Sequence, residues 1–252
     1  MGTMAKQHLH ITGLDTYYFT VTDAKASAAW YIRHFGLTGA GSGEGAETLR
    51  LAEGALLTLV EQDRLTRYDA VPIQFKTHDA RKAYEALDRT AVDADEPRRF
   101  HHYTDFDVRD PDGNKFNVIS DPDWPDTPNN YFKIDGAFIG VADIERCVAW
   151  FDDVLGADVE YDFTYPTDSL PEARHVCYLG LPVSLVESPK GECYHRVCEY
   201  ATSDAAADRA ALLGKGVRVT ALRENEEGKS FSFFDLDDRE YGMIERAFRA
   251  DR

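Results

Sequence analysis

Two hydrophobic rhythms run through the chain. In "FTVTDAKASAAWYIRHFG", Phe19 to Gly36, a period-two run gives way after Asp23 to apolar residues at helical spacing, and Gly36 closes the stretch. Alternation marks a strand with one buried face, and recurrence every third or fourth residue marks an amphipathic helix. Asp23 suits an N-cap because its carboxylate accepts from the first free backbone N–H groups; Gly36 suits a left-handed C-cap.

The same pattern returns along the sequence. "IGVADIERCVAWFDDVLG", Ile139 to Gly156, aligns with the first stretch without a gap, pairing Asp23 with Asp143, Trp30 with Trp150 and Gly36 with Gly156. "IQFKTHDARKAYEAL" and "CEYATSDAAADRAALLGKG" repeat it with Asp79 and Asp204 as caps. After each helix come short alternating runs, "ETLRLAEGALLTLVE", "TDFDVRDPDGNKFNVIS", "RHVCYLGLPVSLVE" and "FSFFDLDDREYGMIE", which predict strands. The chain is therefore expected to hold four βαβββ modules.

Between the second and third modules, "DPDWPDTPNN" carries Pro122, Pro125 and Pro128, which forbid a helix and favour an extended segment. The expected division is a first domain at 10–121, a linker at 122–131 and a second domain at 132–248. The fold class is α+β. One face of each sheet meets its helices and the other lines a cavity, so that paired half-sheets curl into a cup.

Composition narrows the partners. The chain has 252 residues, 43% of them apolar, and a formal charge of -17, which suits a soluble globular protein and disfavours nucleic acid and anionic membranes. The first residues, "MGTMAKQHLHITG", contain no apolar export segment, and no run approaches the roughly 18 residues of a membrane span. Cys147, Cys177, Cys193 and Cys198 form no CxxC pair, so reduced thiols and a cytoplasmic location are expected.

With paired βαβββ modules, and with the turn Asp110-Pro111-Asp112-Gly113-Asn114 before a terminal strand, the chain resembles the vicinal oxygen chelate superfamily. That superfamily includes glyoxalase I, extradiol dioxygenases and bleomycin-binding proteins. The resemblance implies two cup-shaped domains and, in metal-using members, ligands on the first and last strand of each module. Here the matching positions are Thr16, Thr58, Pro72 and Asn117 in the first half, and Gly136, Ser184, Val197 and Gly242 in the second. None is His, Glu, Asp or Cys, so no metal and no other cofactor is expected.

Period two from those positions puts Thr16, Tyr18 and Thr20 on one cup-facing strand and Gln74 and Lys76 on another. With Thr58 and Asn117 they predict a polar pocket for a small organic molecule, Lys76 favouring an anionic or carbonyl-bearing one. In the second half the corresponding faces carry Phe138, Ser184 and Glu199. Glu199 is read as the only cup-facing carboxylate and hence as the candidate general base. The segment "DFTYPTDSLPEARH", with Phe163 and Tyr165, has the composition of a lid, whereas "GAGSGEGAE" is read as a flexible loop.

His101, His102 and the group Cys193, His195 and Cys198 lack metal-site spacing and are assigned structural roles. No nucleophile elbow, Walker loop or dinucleotide fingerprint is present, which leaves hydrolase, NTPase and oxidoreductase readings without support. The leading expectation is a metal-independent binder of a small organic molecule, of resistance or sequestration type, acting as a monomer or homodimer. Its rivals are a lyase, isomerase or dioxygenase using a relocated metal or Glu199 as base, and a partner-binding module with purely structural cups.

Overall fold

The computed structural model describes residues 9–66, 72–124, 131–136, 138–165, 174–181, 183–188, 196–226 and 228–246. Among these no helix is long and apolar enough to cross a membrane. The described residues fall into two compact units: one takes Thr16–Ile139, the other takes the residues up to Asp15 together with those from Gly140 on.

In the first unit the elements in chain order are β1 (Ile11–Val21, entering at Thr16), α1 (Ala24–Phe35), β2 (Thr38–Gly43), β3 (Ala46–Arg50), β4 (Glu53–Gly54) and β5 (Leu56–Glu61). They are followed by β6 (Gln74–Thr77), α2 (Ala80–Glu85), β7 (Asp93–Ala94), β8 (Arg98–Phe100), β9 (Tyr103–Arg109), β10 (Lys115–Ser120) and β11 (Tyr131–Asp135). One sheet runs β1–β5–β3–β2; the other runs β4–β11–β6–β10–β9–β7, with β8 on β9.

The second unit holds β12 (Phe138–Val141, entering at Gly140), α3 (Ile144–Leu155), β13 (Val159–Tyr165), β14 (Arg174–Leu179) and β15 (Val183–Glu187). Then come β16 (Cys198–Thr202), α4 (Ala205–Gly214), β17 (Arg223–Asn225), β18 (Gly228–Phe234) and β19 (Glu240–Arg246). Here the strands lie in the orders β12–β15–β14–β13 and β17–β18–β19–β16. The α+β fold of four βαβββ modules is thus observed, each helix starting where its Asp stands. Asp23, Asp79, Asp143 and Asp204 each accept from a backbone N–H of the first turn, and Gly36 and Gly156 are left-handed C-caps at φ 67° and 70°.

The first unit's core explains its two rhythms. Tyr17, Phe19 and Val21 of β1 and Leu57 and Leu59 of β5 are buried. Tyr31 and Phe35 of α1 meet Phe116, with ring centroids 5.7 and 5.0 Å away, and Phe116 stacks against Phe75 at 4.6 Å. Helix α1 thereby supplies the apolar layer on which Phe75 and Phe116 of the other sheet rest. Trp30 and Trp150 occupy the same place in α1 and α3 and are both half-buried; their neighbours Tyr31 and Phe151 are the fully buried rings.

The Asp-rich turns are the second sign of duplication. Asp110 Oδ1 accepts from the backbone N–H groups of Asp112 and Asn114, while its Oδ2 accepts from Tyr31 Oη and Asn114 Nδ2. Asn114 Nδ2 also donates to the Thr20 carbonyl at 3.0 Å. In the second unit Asp235 Oδ1 accepts from the N–H groups of Asp237 and Arg239, its Oδ2 accepts from Arg239 Nη1 and Tyr241 Oη, and Arg239 Nη2 donates to the Gly140 carbonyl at 2.7 Å. In the gapless alignment Gly140 is the counterpart of Thr20.

Two local expectations change. "GAGSGEGAE" is a β-hairpin of β2 and β3 rather than a flexible loop: Gly45 turns it at φ 65°, and β3 is pinned to β5. Tyr131 begins β11, which pairs antiparallel with β6 and brings its ring 5.2 Å from Phe35. His101 sits at φ 53° in the turn between β8 and β9. Residues 125–130 of the Pro-rich segment, 166–173 of the lid candidate, Cys193 and His195 lie outside the described residues.

Candidate functional site

The face of β1 and β5 opposite the core is neutral and polar. Tyr18 stands in register with Thr58, flanked by Thr16 and Thr20. Thr16 and Thr20 are buried, and Tyr18 is half-buried. The hydroxyls are engaged within the protein: Thr58 Oγ1 lies 2.9 Å from Thr48 Oγ1, and Thr20 Oγ1 accepts from the Thr66 N–H at 2.6 Å.

The face of β6, β10 and β9 opposite Phe75 and Phe116 is charged. It carries Gln74, Lys76 and Asn117, with Asn117 in register between Gln74 and Asp107. These residues and Thr16, Tyr18, Thr20 and Thr58 therefore line two different sheets, each on the side away from the apolar layer that includes α1. Phe138, distant in sequence, comes beside Gln74. Its N–H donates to the Pro72 carbonyl, and a Cβ at Gly136 would lie 3.4 Å from both the Gln74 amide oxygen and the Phe138 ring.

Lys76 does not present a lone positive charge. Its Nζ donates to Asp135 Oδ2 at 2.7 Å and lies 4.9 Å above the Trp124 ring; Lys133 reaches the same Asp135 oxygen at 2.8 Å. Burial pushes the Asp135 carboxyl up, yet the hydrogen bonds from Lys133 and Lys76 outweigh it and hold the group below the usual carboxylate range.

Beside Lys76 lies a cluster that the strand pattern brings to the same face. Asn117 Nδ2 donates to Asp105 Oδ2 at 2.8 Å and to Asp107 Oδ1 at 2.9 Å. Arg98 Nη2 lies 2.9 Å from that same Asp105 oxygen and 3.1 Å from that same Asp107 oxygen, and Lys115 Nζ is 3.5 Å from Asp107 Oδ2. Burial raises the Asp105 carboxyl above its ordinary value despite the opposing pull of the Arg98 charge and the Asn117 amide. Glu199 is therefore not the only buried carboxylate on such a face. The signal was in "TDFDVR": Phe106 and Val108 face the core, so Asp105 and Asp107 must face away from it.

In the second unit the face of β13 to β15 is aromatic. Tyr178 is in register with both Ser184 and Tyr161; its ring stacks on Tyr161 at 4.8 Å and 13°, and Tyr161 stacks in turn near Phe163 at 6.1 Å and 22°. Ser184 is buried, while Tyr161 is 53% exposed. The sequence pattern assigns Phe163 to a lid rather than to strand β13, which hides that Tyr161, two residues earlier, shares its face; Tyr178 joins them through the β13–β14 pairing. The side chain of Tyr165 lies outside the description.

Glu199, on β16, is buried and held by Arg196 Nη1 at 2.9 Å. Arg196 Nη2 also donates to Ser232 Oγ at 3.1 Å and to Glu240 Oε1 at 3.3 Å. A Cβ at Gly242 would stand 2.7 Å from Glu199 Oε1 and 3.0 Å from Arg196 Nη1, so the ion pair fills the space above that glycine.

These donors do not suit a divalent ion at the positions the resemblance assigns to metal ligands. Thr58 is shared with Thr48, Asn117 turns its nitrogen toward the two carboxylates, and a guanidinium occupies the space over Gly242. Pro72, Gly136 and Val197 offer no side-chain donor at all. Among the described residues no three His, Cys, Asp or Glu side chains group as metal ligands would.

No sequence-family profile matches the chain, and neither does any curated protein. Solved structures do. Glyoxalase I from Zea mays is similar to it with a TM-score of 0.70 at 16% identity, over 92% of each chain. A candidate dioxygenase from Bacillus subtilis is similar with a TM-score of 0.72 at 11% identity, over 95% of this chain and 87% of that one.

Proposed function

We propose, for a chain with the vicinal oxygen chelate fold, that it binds a small organic molecule without a metal at the ligand positions of its metal-using relatives, in the manner of a resistance or sequestration protein. The observation that carries this reading is the aromatic face of β13 and β14. Tyr161 leaves half its surface open while its ring is already stacked between Phe163 and Tyr178, so a planar ligand gains contact area at little cost in side-chain order. Buried Ser184 supplies a hydroxyl beside that platform.

The engaged threonines, the Asn117 amide and the Arg196 ion pair support recognition by hydrogen bonds and stacking rather than by coordination. With this goes the division into two glyoxalase-like domains, 10–121 and 132–248, which the paired Asp110 and Asp235 turns support. The charge of -17 and the free thiols of Cys147 and Cys177 favour a cytoplasmic protein that avoids nucleic acid, as monomer or homodimer.

The test is an NMR titration of the whole protein with aromatic fragments, phenol and indole among them, while the fragments are followed for turnover. Saturable shifts at Tyr161 and Tyr178 with the fragment unchanged are expected. The absence of any saturable shift on that face defeats the binding reading, and conversion of a fragment replaces it with an enzyme.

A further inference from the structure

The Asp105 cluster has an unusual balance of donors and acceptors. Asp105 Oδ2 takes both the Asn117 amide and the Arg98 guanidinium, and Asp107 takes Asn117, Arg98 and Lys115. Two oxygens are left over: Asp105 Oδ1 and Asn117 Oδ1 are buried and have no hydrogen-bond partner. Each residue is 6% exposed.

The orientation of Asn117 is dictated by its neighbours. Its nitrogen must face the carboxylates, because turning the amide over would set its oxygen against two carboxylate oxygens. An orphaned acceptor on a side chain this buried is costly, so two of them on adjoining residues mark a place built for a donor that arrives from outside. Arg98 and Lys115, each 36% exposed, are the half-open side chains over the cluster.

Charge selects the kind of donor. Two carboxylates face two cations, so an arriving cation finds no net negative field. An anion would meet two unmatched acceptor oxygens. We infer that Asp105 and Asn117 form a receptor for an uncharged hydrogen-bond donor, a carboxamide or hydroxyl, on the small organic ligand. The inference rests on the reading of the chain as a small-molecule binder and specifies what part of the ligand this face takes.

Three isosteric probes separate the possibilities: acetamide, acetate and acetamidinium, titrated into the whole protein while the Asn117 side-chain amide and the Asp105 backbone amide are followed by NMR. Acetamide should shift both signals saturably, acetate should not, and acetamidinium should bind no more tightly than acetamide. In Asp105→Asn, a near-isosteric change, the new amide must keep its oxygen toward Arg98 and Asn117, which turns the free acceptor into an N–H donor. Acetamide should then bind about fivefold more weakly, the loss of roughly one hydrogen bond, and acetate should gain.

Preferred binding of acetate, acetamidinium binding more than about tenfold tighter, or unshifted signals with all three would each overturn the inference, the last by leaving a fixed water as the occupant. If aromatic fragments still titrate Tyr161 and Tyr178 while acetamide is silent, this inference falls and the binding reading stands. The Asn117 side-chain signals in Asp105→Asn report whether the variant is folded.

Discussion

His10 Nδ1 lies 2.8 Å from Asp208 Oδ1, and that oxygen also accepts the His10 backbone N–H at 2.8 Å. Thr202 Oγ1 donates to the other oxygen of the same carboxylate at 2.5 Å, while the His10 carbonyl accepts from the Ser203 N–H at 3.0 Å. A buried Asp at the start of α4 thus anchors the entry into β1. Its hydrogen bond and charge raise the His10 pKa above the ordinary 6.5.

The sign of the pH effect follows. A His that holds its proton more tightly when folded contributes stability that is complete below 6.5 and fades as pH rises through the higher folded value. The melting temperature should therefore drop between pH 6 and 8.5, and His10→Gln should remove that part of the drop. Parallel pH profiles for the two proteins would contradict the assignment.

Gly242→Ala should destabilise the protein by about 1–3 kcal/mol, because the new methyl meets Glu199 at 2.7 Å and the ion pair must move. Urea denaturation measures it. Pairing the change with Glu199→Gln should leave the glycine effect in place, since the amide is as bulky as the carboxylate; its disappearance would mean that charge rather than volume was responsible.

Tyr161→Ala should change stability by less than about 1 kcal/mol, since half of that side chain is in water, while weakening any aromatic fragment by about tenfold. Tyr178→Ala should cost more in both. A calorimetric titration in which Tyr161→Ala binds phenol as the parent does would remove this face from the site.

Protein dialysed against metal-free buffer should hold no stoichiometric Zn, Ni or Fe at the sheet faces carrying Thr58, Asn117 and Gly242. A divalent ion there would have to displace the bonds now made by Thr48, Asp105, Asp107 and Arg196. Elemental analysis decides this, and one retained ion per chain that is lost on Asn117→Leu would reverse it.

Much of the fold was legible because it rests on local rules. Asp23 and Gly36 cap a helix by chemistry confined to one turn, and the alternation around Phe75 and Phe116 fixes which side faces the core. The candidate site was only half legible. Period two puts Asn117 and Lys76 on the side away from Phe75 and Phe116, but it says nothing about Asp135 reaching Lys76 from β11, or Arg98 reaching Asp105 from β8. Those pairings depend on which strands become neighbours. Asp105 and Asp107 follow the same alternation around Phe106 and Val108, but they lie outside the ligand positions that the resemblance assigns.

The clasp at Asp110 bears on how this chain is made. Asn114 closes onto Thr20 across 94 residues, and Arg239 closes onto Gly140 across 99. On the ribosome the first strand of each half emerges long before its latch does, so neither half completes its buried bonding until its last hairpin has been synthesised. Folding should therefore proceed in two late steps, each released by the arrival of an Asp-rich turn, and chains halted just short of either turn should remain sensitive to protease.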